Sequence, residues 1–418
     1  MLPLLFSFEN VYRHYIQCRK NKRNTINALR FEVDQEKELV RLTRALADHT
    51  YRPGRSVCFF SEKPNLREIF AADFKDRIVH HILVDYLESI WEPVFIHDSY
   101  ACRKGKGIHK GVSRLQKFIR QITANGTRRA FYLQLDIQNY FMRIDKAILF
   151  DLIRKKCPDQ DALWLSHLLI FHDCTIDPAI KGDRRLAEHL PPHKTLFQVR
   201  KGKGLPIGNL NSQFFANVYL NALDQFVKHI LKCRHYLRYC ADFILLSDSK
   251  KVLEIWEQEI ATFLSGTLCL KLNQKACKLR PMTNGINFLG YIVRKDYCLV
   301  RRRVVGNFKQ RLECFDRLLV SEEEGRRIYA FDIPVLDALF AVLNSYLGHF
   351  KHAKTFSLIR SLWEKYDFLS RYFFYNLFEK KLARKYVIPG NLQRVNRQYA
   401  HIQNNFSDAV IVLGMGLK

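Results

Sequence analysis

The chain has 418 residues, 48% of them apolar and 13% aromatic, and only 12 prolines and 18 glycines, which excludes a disordered or fibrous chain. That length sets a prior of about two or three domains. Its 68 Lys and Arg against 41 Asp and Glu leave a formal charge of +27, an excess that calls for a polyanionic partner, nucleic acid before a membrane surface.

In chain order, the start has a brief apolar run with no preceding basic region, so neither a signal peptide nor a membrane anchor is expected. A basic stretch (Arg19, Lys20, Lys22, Arg23) precedes Leu39, Leu42 and Leu46, whose spacing predicts a helix over 36–47. Tyr51-Arg52-Pro53-Gly54 is a turn signal, and Val57–Phe60 reads as a short strand. Ile78, Ile82, Leu83, Tyr86 and Ile90 predict a helix over 77–91. Residues 130–136 read as a strand ending at Asp136, with a helix expected near Asp145. Residues 173–204 are polar and loop-like, and a helix follows with Ser212 as its cap. His235–Arg238 and Phe243–Leu246 predict a hairpin, and 286–293 one strand. Beyond about residue 300 the pattern is helical and basic, and no apolar stretch approaches the ~20 residues of a membrane span. The 11 cysteines are scattered without a CxxC pair and read as reduced thiols of a cytoplasmic protein. His167, His172, Cys174, His189 and His193 cluster in sequence but lack zinc-module spacing.

Each candidate motif is ordinary alone: an acid at a strand end, a glycine-rich turn at 204–209, and the hairpin turn Tyr239-Cys240-Ala241-Asp242-Phe243. Their order is not ordinary. With Lys63–Ile69, Phe74–His81, Ser99–Val112, Leu135–Phe141, Gly204–Gln213, Leu272–Lys275 and Asn287–Tyr291, the chain resembles the bacterial reverse transcriptases over about residues 50 to 355. The Ser212-Gln213 ending and Ser345–His349 look like the diversity-generating retroelement enzymes and their relatives in antiphage defence.

The resemblance implies an α+β right-hand polymerase fold. Helical fingers would span 1–130. An antiparallel-sheet palm would span 131–295, with an insertion at about 173–204, and a helical thumb and extension 296–418. It implies RNA-templated synthesis of cDNA from dNTPs, in which two Mg²⁺ ions stabilise the attacking and leaving oxygens. By resemblance Asp136 bridges the metals, Asp242 is a further ligand, and the Ile137 carbonyl helps hold the nucleotide-bound ion. Phe141 matches a steric gate against ribose. Arg67, aided by Lys63, matches the clasp on the incoming triphosphate; a salt bridge to Glu68 or Asp73 is the ordinary alternative. Ile207 and Gly208 lie beside the nascent base pair with Gln213 following, and an apolar residue at 207 is expected to loosen base selection. Lys275 resembles a proton donor to pyrophosphate, with Lys278 as rival. Asp76 and Arg77 are expected to pair within the fingers.

Arg103, Lys104, Lys106, Lys201, Lys203, Arg301, Arg302, Arg303, Lys351 and Lys354 are expected to contact nucleic acid. Of the late aromatics, Tyr372 to Tyr375 are expected in the core. The expected partner is a structured non-coding RNA in antiphage defence, with no membrane. A diversity-generating element would instead need a small basic accessory protein, and a dead RNA-binding scaffold is the third reading.

One position departs from the family's Tyr-x-Asp-Asp pattern. Ala241 stands where the first Asp, a ligand of both metals, is usual. Two Mg²⁺ ions would be poorly neutralised, so the chain as written is expected to have little or no polymerase activity. The motif around Ala241 is otherwise complete, which favours a deliberate substitution over natural decay.

Overall fold

The computed structural model describes residues 4–20, 25–62 and 66–386. It comprises two compact units: residues 1–114 with 120–281, and residues 115–119 with 282 onward.

The first unit begins with three helices, α1 (Phe8–Arg19), α2 (Ile26–Val33) and α3 (Gln35–Ala47). Ser7 caps α1 by accepting the Asn10 N–H, and α3 buries the three predicted leucines. Strands β1 (Val57–Ser61) and β2 (Arg67–Ala71) form an antiparallel pair. Helix α4 (Phe74–Trp91) is capped by Asp73 and buries Ile78, Ile82, Leu83 and Leu87, each contributing about 1.5–3 kcal/mol. Asp76 and Arg77 do not pair. The buried Asp76 accepts from Tyr51 Oη at 2.6 Å and Gly54 N at 2.9 Å, and Arg77 donates to the Ala72 carbonyl at 2.9 Å.

After α5 (Ile108–Ile122) comes β3 (Phe131–Asp136), then α6 (Tyr140–Arg143), α7 (Lys146–Arg154, capped by Asp145) and α8 (Gln160–Phe171). The 173–204 segment is not wholly irregular: β4 (Ala179–Lys181) pairs parallel with β1. The buried Glu68 of β2 accepts from Thr195 Oγ1 at 2.6 Å and Leu196 N at 2.8 Å, tying the segment's end to the strand. Helix α9 (Leu210–Gln225) starts earlier than expected, with Asn209 at its cap position and Ser212 buried inside. The Asn209 side chain is spent on the Ala72 N–H, at 3.1 Å, instead of capping.

Strands β5 (Tyr236–Tyr239) and β6 (Asp242–Ser247), helix α10 (Lys250–Thr267) and β7 (Lys278–Pro281) complete the unit. Its main sheet has the order β5-β6-β3-β7, antiparallel throughout, with α9 and α10 in the same core.

In the second unit the single strand expected at 286–293 is two, β8 (Ile286–Phe288) and β9 (Tyr291–Val293). Positive φ at Leu289 and Gly290 turns the chain between them. A Cβ on Gly290 would lie 2.9 Å from the His349 ring, which stacks on Tyr291 at 4.2 Å. Strand β10 (Cys298–Val300) joins this sheet.

Helix α11 (Arg302–Leu319) leads to a hairpin, β11 (Val320–Glu323) and β12 (Arg326–Tyr329). Helices α12 (Ile333–Phe350), α13 (Phe356–Lys365) and α14 (Phe368–Tyr372) precede a second hairpin, β13 (Phe373–Asn376) and β14 (Lys381–Arg384). Neither hairpin was expected from the helical pattern. By length and composition α12 could cross a membrane, yet Leu336, Leu339, Leu343, Leu347 and Phe350 bury one face of it in the unit's core. Tyr372 and Phe373 are core residues, Tyr375 is half-buried, and Phe374 is 56% exposed.

Candidate active site

Strands β3 and β6 run in a register that sets Asp136 directly opposite Asp242. Alternation explains their common face: Leu133 and Leu135 are buried, while Gln134 and Asp136 lie on the other, half-exposed side of β3. Tyr239 pairs with Asp242 across a two-residue loop, Cys240-Ala241. Cys240 has φ 52, a left-handed conformation that costs an L-residue roughly 1–2 kcal/mol. Arg238 Nη1 holds the Cys240 carbonyl at 3.1 Å, and the Ile137 N–H donates to the Ala241 carbonyl at 3.3 Å. The turn is thus stitched to the chain just past Asp136.

Each acid is oriented by an amide. Asn273 Nδ2 donates to Asp136 Oδ2 at 2.9 Å, and the Asn273 N–H donates to the Asp136 carbonyl at 2.8 Å. Gln134 Nε2 donates to Asp242 at 3.1 and 3.3 Å. Burial pushes the Asp136 carboxyl above its usual range, opposed by the hydrogen bonds from Asn273 and the Ile137 backbone. Beneath the turn, Arg238 forms a buried fork with Asp224, Nε and Nη2 lying 2.8 and 2.7 Å from its oxygens, and Tyr236 Oη donates to Asp224 at 2.7 Å.

A hard divalent cation needs oxygen donors. Asp136 and Asp242 supply two carboxylates, and Gln134 Oε1, buried without a hydrogen-bond partner, is a neutral oxygen beside them. Two negative charges match one dication, not two. Among the described residues no group of three or more His, Cys, Asp or Glu side chains is placed to hold a metal. The residues present therefore fit a single cation, and Ala241, next to Asp242, brings no third carboxylate.

The other predicted positions divide. Lys63 lies outside the described residues. Arg67 opens β2, exposed, and makes no ion pair with Glu68 or Asp73; it is close enough for its charge to act on the Cys240 thiol of the turn. Ile137 is buried, and Phe141 is half-buried edge-to-face on Tyr140 at 5.6 Å. The Ile207 carbonyl accepts the Phe70 N–H at 2.8 Å, laying the 204–209 loop against β2. Gly208 is required there: φ is 120, and a Cβ would sit 2.8 Å from both Ile69 Cγ2 and the Phe70 carbonyl oxygen. Gln213 and Lys275 are exposed.

The basic positions behave unequally. Arg103 turns inward, donating to Glu92 at 2.7 Å and to the carbonyls of Ile96 and Ser99 at 2.7 and 2.9 Å, so its charge is spent within the protein. Lys104 pairs with Glu88 at 2.7 Å and Asp85 at 3.2 Å, Lys106 donates to the His97 carbonyl at 2.8 Å, and Lys203 lies 3.6 Å from Asp145. Lys354 lies over the Tyr297 ring, and Arg301 precedes α11. Lys201, Arg302, Arg303 and Lys351 are exposed and form no ion pair among the described residues. Gln134, Asn273, Asp224 and Arg238 received no role from sequence. Gln134 carried a signal, lying two residues before Asp136 on the same strand face, and Asn273 stood inside the 272–275 motif.

Residues 61–293 match the reverse transcriptase (RNA-dependent DNA polymerase) family, and the chain belongs to that family. Its α+β architecture is the polymerase fold of these enzymes, RNA-directed DNA polymerases that generally depend on divalent metal. The chain is similar to protein YkfC of Escherichia coli K12, at 25% identity over 62% of this chain and 71% of YkfC. It is also similar to the group II intron-encoded protein LtrA of Lactococcus lactis, at 26% identity over 71% of this chain and 56% of LtrA. Among solved structures, apo telomerase from Candida tropicalis aligns with a TM-score of 0.42 at 11% identity, over 60% of this chain and 56% of that one.

Proposed function

We propose that the chain is built to copy a structured non-coding RNA into cDNA in the cytoplasm, in antiphage defence, and that with Ala241 in place it does so little or not at all. The observation that carries the reading is the cross-strand pairing of Asp136 with Asp242 beside Ala241. In the proposed reaction a primer 3′ hydroxyl attacks the α-phosphate of a dNTP in line, and pyrophosphate leaves. Asp136, Asp242 and the Ile137 carbonyl would hold a divalent cation, which when bound stabilises the developing charge on the reacting oxygens. Arg67, exposed at the start of β2, would neutralise triphosphate charge, and Phe141 would exclude ribose. Lys63 is proposed to assist Arg67, and Lys275 to protonate pyrophosphate. The net charge of +27 supports an RNA partner, with Lys201, Arg301, Arg302, Arg303, Lys351 and Lys354 among the cations proposed for phosphate contacts. The missing acid favours a second reading, an RNA-binding scaffold.

The test is Ala241→Asp. Restoring the third carboxylate should yield Mg²⁺-dependent extension of a primed RNA template, at least a hundred-fold above the parent chain. No gain would refute the polymerase reading of the turn. RNA and cDNA co-purified with that variant discriminate the roles. Repetitive cDNA from one RNA supports defence, adenine-biased errors support diversification with its accessory protein, and RNA without cDNA supports the scaffold.

A further inference from the structure

Two cysteines meet beside the turn that precedes Asp242. Ser99 bridges Arg238 in parallel fashion, the Arg238 N–H donates to the Asp98 carbonyl at 2.9 Å, and the Tyr100 N–H donates to the Arg238 carbonyl at 2.9 Å. The 98–102 segment therefore runs alongside 238–240. A side-chain clamp keeps the two in step: Asn217 Nδ2 holds the Ala101 carbonyl at 2.9 Å, Arg238 Nη1 donates to Asn217 Oδ1 at 3.2 Å, and the same nitrogen holds the Cys240 carbonyl at 3.1 Å. Cys102 and Cys240 follow this clamp, both at positive φ (51 and 52), with their thiols close enough to perturb each other.

Cys102 is exposed and lines an open cavity of about 430 Å³ with Gln17, His81 and Gln213, whereas Cys240 is half-buried behind it. This is an accessible sulfur with a resolving sulfur beside it. The neighbouring Cys240 thiol pulls the Cys102 thiol below the ordinary cysteine range, against the opposing effect of burial. That favours the thiolate, the form that attacks an oxidant.

We propose that Cys102 and Cys240 form a reversible intramolecular disulfide on exposure to a hydroperoxide, a modification site that pins the active-site turn to the 98–102 segment. In the first step the Cys102 thiolate attacks one peroxide oxygen. The O–O bond breaks, and a sulfenic acid and water form, the departing hydroxide taking up a proton. In the second step the Cys240 sulfur attacks the sulfenic sulfur, the S–O bond breaks, and a second water leaves with the Cys240 proton. Two thiols are oxidised by two electrons, and one peroxide is reduced to two waters. A dithiol reductant reverses the bond by exchange. The chemistry does not depend on polymerase activity.

The experiment treats the full chain with equimolar hydrogen peroxide and maps its peptides without reduction, with the exposed Cys269 and Cys314 as internal controls. The expected result is loss of two hydrogens from the intact mass, a linked peptide containing Cys102 and Cys240, and free Cys269 and Cys314. In Cys240→Ser the linked peptide should vanish and Cys102 should be trapped as sulfenic acid by a diketone probe. Cys102→Ser should protect Cys240. Oxidation of Cys269 or Cys314 at the same rate, over-oxidation of Cys102 in the parent chain without linkage, or no reaction at this pair would overturn the proposal.

Discussion

Replacing Arg238 by Met removes the support beneath the candidate active-site turn. Asp224 is fully buried and the Arg238 side chain only 1% exposed, so solvent cannot take over the contacts that are lost. Asp224 would keep one donor, Tyr236 Oη, and the Asn217 amide oxygen and the Cys240 carbonyl would each lose the guanidinium. Leaving one member of a buried ion pair uncompensated costs about 3–5 kcal/mol. At roughly 2–4 °C per kcal/mol for a unit of this size, Arg238→Met should lower the Tm by about 10 °C. Adding Asp224→Leu removes the stranded charge and should recover more than half of the loss. Urea and thermal unfolding of the parent, the two single variants and the double variant form a complete cycle. A loss below about 1 kcal/mol, the value of a solvated pair, would show that the fork is not the support described. So would a double variant no better than the single.

Asp136→Asn tests the energetic state of the first acid. Because burial raises its pKa, the protein loses stability as pH rises through that pKa and the carboxyl ionises. The variant should therefore melt higher than the parent at neutral pH, with the difference closing at low pH where the parent acid is already neutral; a lower Tm at neutral pH contradicts the assignment. Gly208→Ala places a methyl 2.8 Å from the Phe70 carbonyl oxygen at φ 120 and should cost about 1–3 kcal/mol. An unchanged urea midpoint would show that the 204–209 loop is free to move off β2. In the Ala241→Asp background, Ile207→Gln should cut misincorporation several-fold in a single-nucleotide extension assay. Equal error rates would detach residue 207 from base selection.

Letter order alone carried what depends on near neighbours. Leu39, Leu42 and Leu46 mark a helix face because side-chain direction repeats every 3.6 residues whatever lies opposite. Asp136 at a strand end and the turn at 239–243 were readable in the same way, and the family resemblance joined them. Register across β3 and β6, which alone makes Asp136 and Asp242 face each other, is a pairing of distant segments and belongs to the tertiary structure. The same holds for partners. Arg103 and Lys201 look alike as basic residues of glycine-containing segments, yet one guanidinium is folded onto Glu92 and two carbonyls while the other cation faces solvent. Which groups the Asn273 and Gln134 amides bind, and the pairing of the buried Arg238–Asp224 fork, cannot be read locally, because a hydrogen bond is specified by where two groups end up. What the sequence could state was chemistry and periodicity; distance, burial and the meeting of Cys102 with Cys240 were decided by packing.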